Sequence, residues 1–340
     1  MATKLDPSDL TDQKALSVIY HYSHPREGYD FPGLHGVESP IFAKHVQGLK
    51  EHFEMVDCSD LMDKPSQSGR LKACITFDDG IVDVERYVRP TLKAEGVPAI
   101  VFCCSQPLME GKVLNVQKIH LMISKLGFDQ FSKEFQSVAD THGYDLARDR
   151  QDISHLGLRG SHRFDNKTVG DFKRMINFEL RYDVLDHILE VMFATHFGDE
   201  RDVSKRLYMS LDDMRRCQDD GIEIGLHTHS HRLLSRLDRA GQDEEIRVCL
   251  NYFKHHLDLK NVHIAYPFGV YGVWNEDTVD IMTDLGLRSG HALHPKSISE
   301  KELDENWAIP RYVTNDLFDV DGNFTQNSFE TLKTLRPLSS

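Results

Sequence analysis

The sequence predicts an α/β fold with a mostly parallel sheet, of the barrel type, carrying a helical insertion. Three observations predict it. Short apolar runs of strand length recur along the chain, stretches of helical periodicity separate them, and a long helical interval at roughly 105–209 breaks the rhythm.

Taken in order, Ala15-Leu16-Ser17-Val18-Ile19-Tyr20 reads as the first strand. Phe42, Val46, Leu49 and Phe53 recur at helical spacing and predict a helix over Phe42 to Phe53. Leu71 to Phe77 is the next strand, and Tyr87 to Ala94 a helix with Gly96 as its stop. Val97 to Phe102 is again a strand. In the long interval, Val116, Ile119, Ile123 and Leu126 share one helix face. Phe128, Phe131, Phe135 and Val138 share another, and Leu180, Val184, Leu185, Ile188 and Val191 a third, while 145–165 is polar and rich in turn residues. Ser210 followed by Asp213 is a capping-box signature for a helix ending near Gly221. Strands are expected at Ile222 to Leu226, Val262 to Tyr266, Leu287 to Leu293 and Trp307 to Val313.

The 340 residues, 40% hydrophobic and 28% charged, describe an ordinary globular chain long enough to bury a large core unaided. With no Ser/Gly/Pro linker, residues 1–340 are read as one domain with its insertion. A net charge of −14 and no basic run exclude a general nucleic-acid binder. No apolar stretch reaches the ~18 residues of a membrane span, and Met1 to Asp6 do not begin a secretory signal. The six cysteines include no C-x-x-C pair and sit largely in apolar runs, as thiols of a reducing compartment do, so a cytoplasmic protein is expected.

Three segments place polar or aromatic residues at the C-terminal ends of predicted strands, where α/β barrels build their sites. In Thr76-Phe77-Asp78-Asp79-Gly80, two adjacent carboxylates repel unless a cation or donors intervene. Successive side chains leave an extended chain on opposite sides, so one can bind a metal while the other faces a water; an acidic turn is the plainer alternative. In His227-Thr228-His229-Ser230-His231, the first and last histidines fall on one face if the loop turns into a helix. With one Asp they make a three-ligand set with an open position, the logic of a catalytic Zn²⁺ site, and His229 points elsewhere. In Tyr266-Pro267-Phe268-Gly269, aromatics around Pro and Gly form a rigid wall with free backbone amides able to stabilise an oxyanion.

Thr-Phe-Asp-Asp-Gly, His-Thr-x-Ser-His and Tyr-Pro-Phe-Gly, in that order, resemble the polysaccharide deacetylases of carbohydrate esterase family 4, the NodB-homology domain. The resemblance covers roughly 14–104 and 210–315, and it implies a distorted (β/α)₇-type barrel. It implies Asp78 as the general base, and Asp79, His227 and His231 as ligands of one divalent metal ion. Zn²⁺ is the foremost candidate, with Co²⁺, Ni²⁺ or Fe²⁺ as alternatives. It implies the Phe268 amide, with Tyr266 and Pro267 beside it, on the substrate and oxyanion. Family members commonly carry an Arg before the Pro of the third motif; this chain has Ala265 and Tyr266 there, and Arg311 in Ile309-Pro310-Arg311-Tyr312 is the expected substitute. For the general acid that a Leu-x-His motif normally supplies, His291 is the candidate, then His294, with His21 and His24 as weaker residues of the cleft.

The function implied is hydrolysis of an N-acyl group, acetyl or formyl, from an amino sugar. An acylated glycan precursor of surface-polysaccharide biosynthesis is the expected substrate, with peripheral membrane contact but no transmembrane segment and no nucleic acid. The competing readings are hydrolysis of a small non-sugar amide, and a metal- or glycan-binding module without catalysis. The insertion is expected to shape the pocket without supplying metal ligands.

Overall fold

The computed structural model describes residues 13–325, apart from 64, 65, 67, 159–166, 295 and 297. The amino-terminal residues read for a secretory signal, and Pro295 beside His294, lie outside the described residues.

Six parallel strands carry the sheet: β1 (Gln13–Tyr20), β2 (Lys72–Phe77), β3 (Ala99–Cys103), β4 (Ile222–Leu226), β5 (His263–Ala265) and β6 (Ser289–His291), hydrogen-bonded in that order. The segment 309–313 returns the curled sheet on itself. Ile309 bridges His291 in parallel, and the strand β7 (Tyr312–Val313) pairs with Val18 and Ile19 of β1. An antiparallel pair, Ile298–Ser299 with β1, is the one departure from parallel order around this path among the described residues. Short parallel strands linked by helices fit the seven-unit barrel expected.

Alternation along the strands explains the core. On β2, Ala73, Ile75 and Phe77 belong to the main apolar cluster, under helices such as α1 (Ser39–His52) and α2 (Arg89–Glu95). Cys74 belongs to the other cluster, with Ile100 and Phe102 of β3, Ala265 of β5 and Ile309. That second cluster is the barrel interior, and period-2 geometry sends every other residue there. The interior is polar for a barrel: Ser17, Thr76, His263, Ser289, His291 and Arg311 are buried too.

The helix α2 stops at Gly96, whose φ of 63° is the left-handed geometry that caps a helix. The interval between β3 and β4 holds α3 (Asn115–Leu126), α4 (Phe128–Thr141), α5 (Tyr182–Phe197) and α6 (Glu200–Leu207). Their apolar faces form a cluster of their own, with Phe131, Phe135, Ile188 and Leu189. Tyr22, Phe31, Ile81 and Cys104 from the barrel loops join it, which docks these helices onto the strand ends that carry the motifs. The capping box at Ser210 forms as the sequence predicts and starts α7 (Leu211–Asp219), which leads into β4. No helix among the described residues is long and apolar enough to cross a membrane.

Candidate active site

Five non-glycine residues among those described hold positive φ, and four of them sit on these motif loops: Asp79 (71°), Thr228 (66°), His231 (60°) and Phe268 (64°). Each such residue costs on the order of 1–3 kcal/mol, and such strain persists where the surroundings fix it. Their clustering at three separate strand ends marks the region where side-chain direction matters more than backbone comfort.

Asp78 and Asp79 follow β2 directly. Interior parity puts Thr76 and Asp78 on the barrel axis, where Arg311 meets both. Arg311 donates from Nη1 to Asp78 Oδ1 at 2.7 Å and from Nη2 to Oδ2 at 2.9 Å, a two-pronged pair that is 1% exposed on the arginine side. Its Nε donates to the Ala292 carbonyl at 3.3 Å. Burial pushes the Asp78 carboxyl up, but the charges of Arg311 and His227 and the Arg311 hydrogen bonds outweigh it and hold the group below its ordinary value.

Asp79 turns the other way. Its Oδ2 accepts from Gln117 Nε2 at 2.7 Å. Its Oδ1 is buried and has no donor among the described residues. His227 Nε2 and His231 Nε2 each lie 3.5 Å from that oxygen. His227 Nδ1 lies 2.8 Å from the Ala265 carbonyl, which can only accept, so that nitrogen carries a proton and Nε2 is the atom turned to Asp79. Burial and the neighbouring His227 push His231 down to about 3, so it is neutral at physiological pH. A buried carboxylate oxygen without a donor among the described residues, with two imidazole Nε2 atoms 3.5 Å away, fits a divalent cation.

The two histidines do not share a helix. His227 to Leu233 is irregular, and the rings, 4.8 Å apart between centroids, are brought together by the left-handed turns at Thr228 and His231. Glu245 of the helix Arg239–His256 pins the loop, accepting from the Ser230 amide at 2.8 Å and from its hydroxyl. His229 leaves the cluster for Ser105 Oγ (2.8 Å) and Glu110 Oε1 (3.1 Å).

Phe268 stacks edge-on against His231 with centroids 4.9 Å apart, and its amide has no partner among the described residues. Tyr266 does not reach the site. Parity turns it outward from β5, where its hydroxyl donates to the Trp307 carbonyl at 2.7 Å and its ring stacks on Trp274. Pro267 is buried beside it and does not line the cavity. The expectation for His291 is corrected as well: it is fully buried inside the barrel, with Nε2 3.3 Å from Cys58 Sγ, and is not among the cavity residues. His294 is exposed, and His24 stacks on Tyr29.

Around these groups lies a cavity of about 80 Å³, lined by Asp78, Asp79, His227, His231, Phe268 and Arg311, and by His21, Val116 and His120. The insertion thus reaches the site with more than a wall. Gln117, on the first turn of α3, holds Asp79 and accepts from Tyr208 at 3.2 Å. The sequence offers no signature for this glutamine. Replacing it with Leu should weaken metal binding roughly 10–100-fold, because the carboxylate loses the donor that orients it. Titration of metal-free protein with Zn²⁺ measures that, and parental affinity in the variant would contradict it.

Residues 189–290 match the family model described as polysaccharide deacetylase. No curated protein matches the chain in sequence. Three solved structures similar over nearly the whole chain are the Streptococcus pyogenes deacetylase PplD in complex with acetate, IcaB from Ammonifex degensii, and the de-N-acetylase from Aggregatibacter actinomycetemcomitans. PplD is 14% identical, covering 96% of this chain and 100% of that one, with a TM-score of 0.55. IcaB is 14% identical over 95% and 97%, with a TM-score of 0.52. The third is 13% identical over 94% and 99%, with a TM-score of 0.51. At these identities the likeness is one of fold. With the family match, it bears out the resemblance read from the three motifs.

Proposed function

We propose that this chain is a metal-dependent deacylase that removes an N-acetyl or N-formyl group from an amino sugar, acting on a glycan precursor. One observation carries the proposal: the donorless Oδ1 of Asp79, buried between two histidine Nε2 atoms, beside a carboxylate clamped by Arg311. The family match over 189–290 and the names of the similar structures, a deacetylase and a de-N-acetylase among them, support the substrate class. The six cysteines are all buried and unpaired, which supports a reducing, cytoplasmic compartment.

Asp79, His227 and His231 would hold the cation, Zn²⁺ foremost, which when bound supplies a Lewis acid for the acyl carbonyl and a lowered pKa for water. The chain's own groups do the rest. Asp78, kept ionised by Arg311, accepts the proton of the attacking water as its oxygen bonds to the acyl carbon. The Phe268 amide donates to the carbonyl oxygen as it gains charge. The C–N bond then breaks, giving a carboxylate and an amine that leaves with a proton. His21 and His120 line the cavity, and either would supply that proton in place of His291. The cavity has room for a short acyl group, while the sugar would lie outside it.

The ligand set is tested by metal content. His231→Ala should contain one equivalent less metal per chain than the parent protein. Full retention of metal in that variant would remove His231 from the set.

A further inference from the structure

The barrel interior holds a second convergence of ligand atoms, towards the other ends of the strands. His263 and Ser289 are the first residues of β5 and β6 and pair across the sheet, and His291 is two residues further on. Cys58 enters from the short helix Cys58–Asp63. All four are fully buried. Cys58 Sγ lies 3.3 Å from His291 Nε2, and Ser289 Oγ lies 3.0 Å from that nitrogen and 2.7 Å from His263 Nδ1. One donor atom each from Cys58, His263 and His291 falls within 4.8 Å of the other two.

We propose that Cys58, His263 and His291 hold one Zn²⁺ as a closed structural site, with the Ser289 hydroxyl in the fourth position. Bonds of about 2.3 Å to sulfur and about 2.0–2.1 Å to nitrogen put tetrahedral ligand atoms about 3.5 Å apart. Cys58 Sγ and His291 Nε2 stand at 3.3 Å, and the three Cys and His ligand atoms lie within 4.8 Å of one another. The two contacts of the Ser289 hydroxyl, at 2.7 and 3.0 Å, would open on binding. The groups around His263 also match. His263 Nε2 lies 3.2 Å from Ser59 Oγ, so this nitrogen can carry the proton and leave Nδ1 to bind. Asn261 donates to the same hydroxyl at 2.9 Å. Glu223 accepts the Cys58 amide at 3.1 Å and so fixes the residue that brings the sulfur. Arg311, the cation whose charge reaches His291, is already paired with Asp78. The thiol proton leaves to solvent on binding. A site this enclosed fills as the chain folds, and two of its four groups, His263 and Ser289, stand at the N-terminal ends of their strands, where barrels spend residues on stability.

The proposal is independent of the catalytic reading, because its sulfur ligand gives it a signature the Asp–His–His set lacks. Protein refolded with Zn²⁺ should carry two equivalents per chain. Cys58→Ala and His263→Gln should each carry one, while His231→Ala loses the other. Protein refolded with Co²⁺ should show a near-ultraviolet thiolate-to-cobalt charge-transfer band, present in His231→Ala and lost in Cys58→Ala. The band is read on the unmutated protein, so an unfolded variant does not spoil the test. A single equivalent and no such band would overturn the second site. A single equivalent with the band, unchanged in His231→Ala, would instead overturn the catalytic ligand set and leave this site standing.

Discussion

Asp78→Asn should keep its metal and lose turnover by roughly 10²–10⁴-fold, the usual contribution of a positioned general base. Asp78 makes its bonds to Arg311, and its approach to His227 Nε2, 3.9 Å, is longer than that of Asp79. The amide of Asn has nearly the same shape but cannot take a proton from water at neutral pH. Asp79→Asn should behave oppositely. It places an NH₂ or a weaker acceptor where the two histidine Nε2 atoms converge, so metal itself is lost, and excess metal restores part of the activity. Metal analysis of both variants beside their turnover checks the division. Equal metal loss in the two would contradict it.

Arg311→Lys should be damaging although the charge is kept. The guanidinium spans both oxygens of Asp78 and reaches Thr76 as well, and a single ammonium cannot reproduce that fork. Asp78 is held below its ordinary value against the opposing effect of burial, so weakening the pair lets burial raise it. The base must be ionised to act, so the acidic limb of the pH–rate profile should move to higher pH. The sign for stability follows from the same shift. A depressed carboxyl stabilises the fold above its unfolded value, and this is lost as pH falls through the folded one. Arg311→Ala, which leaves a buried carboxylate unpaired, should cost about 3–5 kcal/mol at neutral pH, measured by denaturant unfolding. A Lys variant with the parental pH profile would take Arg311 out of the site.

What could be read from the sequence was what local rules control. Gly96 and the Ser210–Asp213 box fixed helix ends, and strand-length apolar runs located the sheet. The first two motifs stand at strand ends, and the fold brings Asp78, Asp79, His227 and His231 around one cavity. The failures share a cause: nearness to a strand end does not say which face a side chain takes, or which end of the interior it joins. Tyr266 sits one residue past the end of β5 and parity turns it towards Trp274. His291 is interior, but its ring meets Cys58, more than two hundred positions away in sequence. The helical reading of His227 and His231 missed the left-handed turns, because Thr and His do not announce positive φ as glycine does. Gln117 is a polar residue on an otherwise amphipathic helix, and only the docking of the insertion gives it Asp79 to hold.

The most direct test of the central claim is release of acetate from an N-acetylated amino-sugar oligomer, followed with chelator-stripped protein before and after Zn²⁺ is returned. Acetate and free amine should appear one for one, only after metal is returned, and not in His231→Ala. Equal release by the stripped and reloaded protein would contradict a metal-dependent mechanism. No release by the reloaded protein, from the acetylated or formylated oligomer, would contradict the deacylase assignment.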